Sequence, residues 1–216
     1  MPDDGELPEI IYFADPMCSW CWGFSPVVHR LRELLAEQAV LRLVMGGLRP
    51  GTTTILRDPL KADIRRHWEH VADRTGASFD FGFFDRDDFI YDTEPASRAV
   101  LTMAQCDSAS LLRYFSRIQQ AFYRDNLDVT DGQVLVALAA EQDVDATVFA
   151  TLFASEALHA ATRQSFILTR ATGVSAFPTL LGSRGGELEE LCSGYQSGRQ
   201  LFPHVLDWVS VHHPRL

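Results

Sequence analysis

Two cysteines separated by two residues, Cys18-Ser19-Trp20-Cys21, follow the apolar run Ile10-Ile11-Tyr12-Phe13-Ala14 across a short connection, Asp15-Pro16-Met17, and open a segment with helical periodicity. Thiols at that spacing close a small disulfide ring without unfolding the chain around them. At a helix N-terminus the first thiol meets unpaired backbone N–H groups and the positive end of the helix dipole. Both favour the thiolate, the form that attacks disulfides. Strand, Cys-x-x-Cys, helix is therefore an arrangement for thiol–disulfide exchange, with Cys18 and Cys21 as the candidate catalytic residues.

Other uses of the pair are weaker. Zinc normally takes four ligands. The remaining cysteines, Cys106 and Cys192, are isolated in sequence, and His67 and His70 read as solvated residues on a charged helix. No metal site is expected. A static disulfide closing so short a loop would constrain the unfolded chain little, so stability is a poor reason for it. Cys106 and Cys192 read as small buried hydrophobes.

The chain of 216 residues is long enough to bury a real core, and 46% hydrophobic with 22% charged residues is ordinary for a globular protein. A net charge of −10 argues against nucleic-acid binding, which needs cationic patches against phosphate. No apolar run approaches the roughly 20 residues of a membrane span. The opening Met1-Pro2-Asp3-Asp4-Gly5-Glu6 is acidic and lacks the pattern of a signal peptide. The expected location is cytoplasmic, where thiols are kept reduced and a cysteine pair is more often catalytic than structural.

The elements that must position the pair read as follows. Residues 9–14 form a buried strand, 19–38 a helix containing Pro26, and 40–45 a second strand, a β-α-β unit with a parallel pair. Gly46-Gly47-Leu48-Arg49-Pro50-Gly51 ends it as a loop. Helices follow near 57–76, 95–106, 109–125, 131–142 and 145–172, with Thr130 as an N-cap and Phe79 to Tyr91 as an irregular aromatic loop. Strand character returns at 177–181, with a turn over Gly182–Gly186 and a hairpin partner from 187. A last helix covers 197–211, and His212-His213-Pro214 reads as a frayed end.

That order resembles the thioredoxin fold interrupted by a helical insert, as in the DsbA-like family. The match rests on Cys18-Ser19-Trp20-Cys21 after the first strand, Pro26 five residues beyond Cys21, and Val174-Ser175-Ala176-Phe177-Pro178-Thr179-Leu180 in place of the segment that carries the family's cis-proline. Gly46–Gly51 and Asp92-Thr93-Glu94-Pro95-Ala96 further resemble a bacterial subgroup described as predicted protein-disulfide isomerases. The resemblance implies an α/β, thioredoxin-like fold, β-α-β … α-β-β-α, with a large all-helical insertion. Residues 1–56 and 151–216 would be the two parts of the thioredoxin-like domain, and 57–150 the insertion.

It also implies a mechanism. Cys18, expected to be exposed, attacks a substrate disulfide; Cys21, one turn on and more buried, attacks Cys18 and releases reduced substrate. A cis bond before Pro178 would bring Ala176 and Phe177 beside the cysteines, where their backbone can pair with an extended peptide. With Ser19 and Trp20 these are the candidate substrate-binding residues; Trp20 is assigned to the surface and Trp22 to the interior. The Asp92–Ala96 loop is a candidate border of the cleft. No cofactor beyond the redox-active disulfide is implied, with glutathione as a possible co-substrate. The expected partners are disulfide- or dithiol-containing proteins or peptides and an unidentified redox partner.

The chain departs from the family pattern at Tyr12, where better-known relatives carry a buried acid. The proton acceptor for Cys21 is left open, since Asp15 beside Pro16 reads as a loop residue. Ser-Trp between the cysteines, without a cationic residue, leaves thiolate stabilisation to the helix terminus and implies a less oxidising protein than the periplasmic oxidase. Two other readings stand beside this one. One is a glutathione-dependent isomerase or transferase of the kappa class, which usually has serine at the Cys18 position. The other is a non-catalytic binding protein switched by the redox state of the pair.

Overall fold

A computed structural model describes residues 7–212. The opening acidic segment, and the expected fraying at His213 and Pro214, lie outside the described residues. A four-stranded sheet has the order β2-β1-β3-β4. Strand β1 (Glu9–Ala14) pairs in parallel with β2 (Val40–Met45), from Glu9 opposite Val40 to Ala14 opposite Met45. Its other edge pairs antiparallel with β3 (Thr179–Arg184), which in turn pairs antiparallel with β4 (Glu187–Ser193).

The unbroken apolar run of β1 suits a strand covered on both faces. Ile10, Tyr12 and Ala14 enter the main core, while Ile11 and Phe13 join Val44 and Leu181 in a smaller cluster behind. The β3–β4 turn is tighter than the sequence suggests. Gly185 and Gly186, at φ 57° and 87°, make it, and both need the left-handed freedom of glycine. Gly182 stays within β3, where Trp208 lies 2.5 Å from the place of a Cβ, so any side chain there would collide with the indole.

Helix α1 (Ser19–Leu35) runs through Pro26 and connects β1 to β2. Between β2 and β3 the chain is helical: α2 (Asp58–Thr75), α3 (Glu94–Cys106), α4 (Leu111–Tyr123), α5 (Gly132–Ala140), α6 (Ala146–Phe153) and α7 (Glu156–Ala171). A final helix, α8, spans Gly198–His212. The single helix expected over 145–172 is two, because the Ser155 hydroxyl accepts the Leu158 N–H and starts α7 afresh. Asp131, not Thr130, caps α5: it accepts the Gln133 N–H at 2.8 Å, while the Thr130 hydroxyl is spent on Asp128.

The segment 79–91 is more ordered than a loop. It forms a 3-10 turn over Phe81–Asp85, and Phe79, Phe83 and Phe84 pack around Trp68 of α2 with ring centroids 4.8–5.2 Å away. Burying that many rings together fixes α2 against the α4 end of the helical block. Helix α7 is tied to the end of β2: Ser165 Oγ accepts the Met45 N–H at 2.9 Å and Thr169 Oγ donates to the Met45 carbonyl at 3.0 Å. The Gly46–Gly51 loop is thereby held over the C-terminal end of β1.

Candidate active site

Cys18 is the N-cap of α1. Its N–H donates to the Asp15 carbonyl at 3.1 Å, and its own carbonyl accepts the Trp22 N–H at 3.0 Å, so the thiol sits at the free N–H end of the helix. Cys18 is 6% exposed, which corrects the expectation of an open thiol. It is reached through a cleft of about 420 Å³ whose walls include Trp20, Leu48, His67 of α2 and Phe177. The Cys18 Sγ donates to the Phe177 carbonyl at 3.7 Å.

Cys21 lies one turn along, fully buried. Burial pushes its thiol well up, and contact with Cys18 pushes it further; the Asp15 backbone opposes this in part. The two thiols are therefore unequal. One stands at a helix N-terminus facing a cleft, and the other is kept protonated behind it. That is the asymmetry an attacking and a resolving thiol require.

Asp15 organises the surroundings; the sequence places it in a loop, as found, but does not show that it is buried beside the cysteines. Its carboxylate is completely buried, accepting the Met17 N–H at 2.9 Å and the Leu48 N–H at 2.8 Å, with the Thr93 hydroxyl also bonded to it. Burial pushes it up to about 6, although these donors pull the other way. Asp15 thus joins three segments: the turn before Cys18, the Gly46–Gly51 loop, and the start of α3. Asp92 repeats the tie from the other side, accepting the Gly51 and Glu94 N–H groups. Tyr12 is fully buried beside Cys21, its hydroxyl without a well-formed partner and its pKa raised, chiefly by burial.

Other groups shape the cleft. Tyr91, buried, donates to the Met17 carbonyl at 2.7 Å. The Arg49 guanidinium lies 5.6 Å from the Tyr91 ring centre and pairs with no carboxylate among the described residues. Trp20 packs edge-on against His70 and tilts against Tyr195. The Phe177–Pro178 peptide is cis. The Phe177 ring lies 2.3 Å from where a Cβ on Gly46 would stand, so only glycine lets the two segments approach. The Ala176 carbonyl accepts the Thr179 hydroxyl, while the N–H groups of Ala176 and Phe177 have no acceptor among the described residues.

The structure brings Cys18, Ser19, Trp20, Ala176 and Phe177 around this one cleft. Cys21 and Pro178 are buried behind it. Trp22 differs from the expectation of an interior residue. It is half-buried on the opposite side of α1, stacked on Tyr123 and donating to the Ser78 carbonyl. Cys106 is also only half-buried, because it closes the exposed last turn of α3. Cys192 is buried in β4, its thiol 3.1 Å from the Gly194 carbonyl and its pKa pushed up to about 11 by burial. No group of three His, Cys, Asp or Glu among the described residues is arranged to hold a metal ion. No helix of the described residues is long and apolar enough to cross a membrane.

A thioredoxin-like sheet with a Cys-x-x-Cys at the head of α1 and a helical block between β2 and β3 defines the fold class. The model of the DSBA-like thioredoxin domain matches residues 9–201, and the chain belongs to that family. It is 33% identical to a solved protein from Nitrosomonas europaea described as a candidate protein disulfide isomerase, with a TM-score of 0.91 over 96% of this chain and all of that one. It is 28% identical to the cytosolic disulfide reductase DsbM from Pseudomonas aeruginosa, with a TM-score of 0.74 over 94% of this chain and 96% of that one, and DsbM has also been solved with glutathione. Among curated proteins it is 24% identical over 179 residues to the ClpXP adapter protein SpxH of Bacillus subtilis, covering 80% of this chain and 57% of that protein. The chain therefore spans little more than half the length of these curated relatives. Family and solved neighbours together support a thiol–disulfide oxidoreductase.

Proposed function

We propose that the protein reduces or rearranges disulfides of protein or peptide substrates, with Cys18 as the nucleophile, Cys21 as the resolving thiol and glutathione as the electron donor. The observation that carries this reading is the placement of Cys18 at the N-cap of α1, facing the cleft and the Phe177 carbonyl, with a fully buried Cys21 in contact behind it. The Cys18 thiolate attacks a substrate disulfide, forming a mixed disulfide and releasing one substrate thiolate. Cys21 gives up its proton and attacks the Cys18 sulfur, which releases the second thiolate and leaves a Cys18–Cys21 disulfide. Two glutathione thiols then restore the dithiol and leave as glutathione disulfide, so the electrons balance.

Asp15 is the proton acceptor for Cys21 in this scheme. It is the buried carboxylate whose charge Cys21 feels, and at about 6 it is ionised at neutral pH yet basic enough to take a proton. The free N–H groups of Ala176 and Phe177 suit strand-like pairing with an extended substrate. Arg49, without a carboxylate partner among the described residues, suits a carboxylate of glutathione. DsbM, which has been solved with glutathione, is described as cytosolic, and a reducing cytoplasm is the setting proposed here. The similarity to SpxH favours a second reading, a protein that binds partners without turning over disulfides.

A trapping experiment separates the two. Incubated with glutathione disulfide or an oxidised model peptide, the Cys21→Ser variant accumulates a mixed disulfide on Cys18, read by intact-mass spectrometry, while the native protein reduces the peptide catalytically at the expense of glutathione. A native protein that binds oxidised peptide but never reduces it would support the binding-protein reading instead.

A further inference from the structure

Among the described residues there is a second cavity, larger than the cleft at the cysteines. A groove of about 660 Å³ lies between α1 and α4 on the far side of α1 from Cys18. From α1 it takes Trp22, Ser25, Pro26 and His29, one helical face; from α4 it takes Arg113, Ser116, Arg117 and Gln120, again one face. Two helices packed only for stability would close such a space with side chains. Elsewhere these elements do so, as where Tyr12 meets Phe24 and Phe115.

The floor is polar and connected. His29 Nε2 lies 2.7 Å from Ser116 Oγ, which lies 3.0 Å from Ser25 Oγ. With the proton on Nε2 the chain runs His29 to Ser116 to Ser25, and the Ser25 hydroxyl retains a proton to donate to a ligand oxygen. Beside this chain stand the half-buried Trp22 indole and the exposed Pro26 ring, both flat apolar surfaces.

The charges select the ligand. No Asp or Glu lines the groove, in a chain of net charge −10. Arg117 is occupied by Glu141 and Asp125. Arg113, on the lip, donates to the Ser110 hydroxyl and has no carboxylate within ion-pair distance among the described residues. A polar floor, flat apolar sides and a guanidinium at the rim that reaches a carboxylate, Asp107, only through the Ser110 hydroxyl fit one kind of molecule, and the volume falls in the range of about 300–1,000 Å³ typical of small-molecule sites.

We propose that this groove is a second ligand site, separate from the cysteine cleft, that binds a flat aromatic carboxylate. The ring system lies along Trp22 and Pro26, the carboxylate pairs with Arg113, and Ser25 donates to a ligand oxygen. The charges around His29 are Arg32 and Glu33 on its own helix and Arg113 and Arg117 on α4. An added anion here favours the charged imidazole, so occupancy raises the His29 pKa.

The probe is 1-naphthoate, titrated calorimetrically into the 216-residue protein before and after alkylation of Cys18 with iodoacetamide. Saturable one-to-one binding that survives alkylation is expected. Arg113→Ala removes a charge-assisted hydrogen bond from an exposed position and should weaken binding by about tenfold. Ser116→Ala, which breaks the hydrogen-bonded floor, should also weaken it, and the His29 ring signals should titrate at higher pH in the complex. Absence of saturation up to the solubility of the probe, binding abolished by Cys18 alkylation, or binding that neither substitution weakens would each overturn the proposal. Because the alkylated protein has no active thiol, a failure of the disulfide chemistry would not touch this result.

Discussion

Helix α1 presents Cys18 and Trp20 to one space and Trp22, Ser25 and His29 to another, and the two spaces are walled differently. The cysteine cleft is the smaller, about 420 Å³ against 660 Å³. Behind it lie a buried carboxylate, three buried tyrosines and a buried thiol, all with raised pKa values, and burial is the leading cause in each case. The α1–α4 groove has hydroxyls, an imidazole lowered by burial and two guanidiniums, with no group poised to exchange a bond. On the proposed function, reactivity on this helix follows from buried titratable groups grouped around the N-cap, not from cavity size. One helix serves both spaces because Trp20 and Trp22, two residues apart, cannot share a helical face, while Cys18 stands at the N-cap, outside the helical periodicity.

The comparison can be broken at the cleft. Cys18→Ser removes the nucleophile and should lower disulfide turnover by at least about a thousandfold, leaving only uncatalysed exchange. Asp15→Asn should slow the Cys21 step, read as the lifetime of the mixed disulfide in stopped-flow quenching, by about a hundredfold, in line with loss of a positioned general base. In the native protein that step should accelerate as the pH rises through about 6, where Asp15 becomes a carboxylate able to accept the proton, and the variant should lose this inflection. A profile unchanged in Asp15→Asn would remove Asp15 from the mechanism.

Smaller effects sharpen the contrast. Gly46→Ala drives a methyl into the Phe177 ring and should destabilise the fold by about 1–3 kcal/mol in urea denaturation, as overpacking does. It should also displace the Phe177 carbonyl from Cys18 and so slow turnover. Arg49→Ala should raise the KM for glutathione about fivefold with kcat little changed, since it removes one charge-assisted contact made equally before and during the reaction. Asp145→Ala, at a residue that lines neither space, removes a cap that accepts two N–H groups and should cost about 1 kcal/mol with no change in thiol chemistry.

Much of this arrangement is legible in the chain itself. The bounds of β1 and β2 follow from apolar runs, the second interrupted only by Arg42, and the Cys-x-x-Cys, with the distant Ala176-Phe177-Pro178, marks the elements that meet at the cleft. Asp15 is not legible, although its position beside Pro16 is. A carboxylate there is buried only because the Leu48 amide, 33 residues away, arrives to bond it. The low exposure of Cys18 and the α2 wall of the cleft likewise come from tertiary packing, in which Phe79, Phe81, Phe83 and Phe84 of the segment read as an aromatic loop gather around Trp68. The break at Ser155 was hidden because both flanking segments keep helical periodicity and a serine cap is a single-residue signal.

The central claim is that Cys18 and Cys21 form one reversible redox pair. It is tested most directly by equilibrating the purified protein in graded glutathione buffers, alkylating free thiols and assigning them by mass spectrometry. The account predicts a single two-electron transition confined to Cys18 and Cys21, with Cys106 and Cys192 outside it. If Cys18 and Cys21 never join in a disulfide with each other at any potential, the resolving role of Cys21 and the proposed reaction are both wrong.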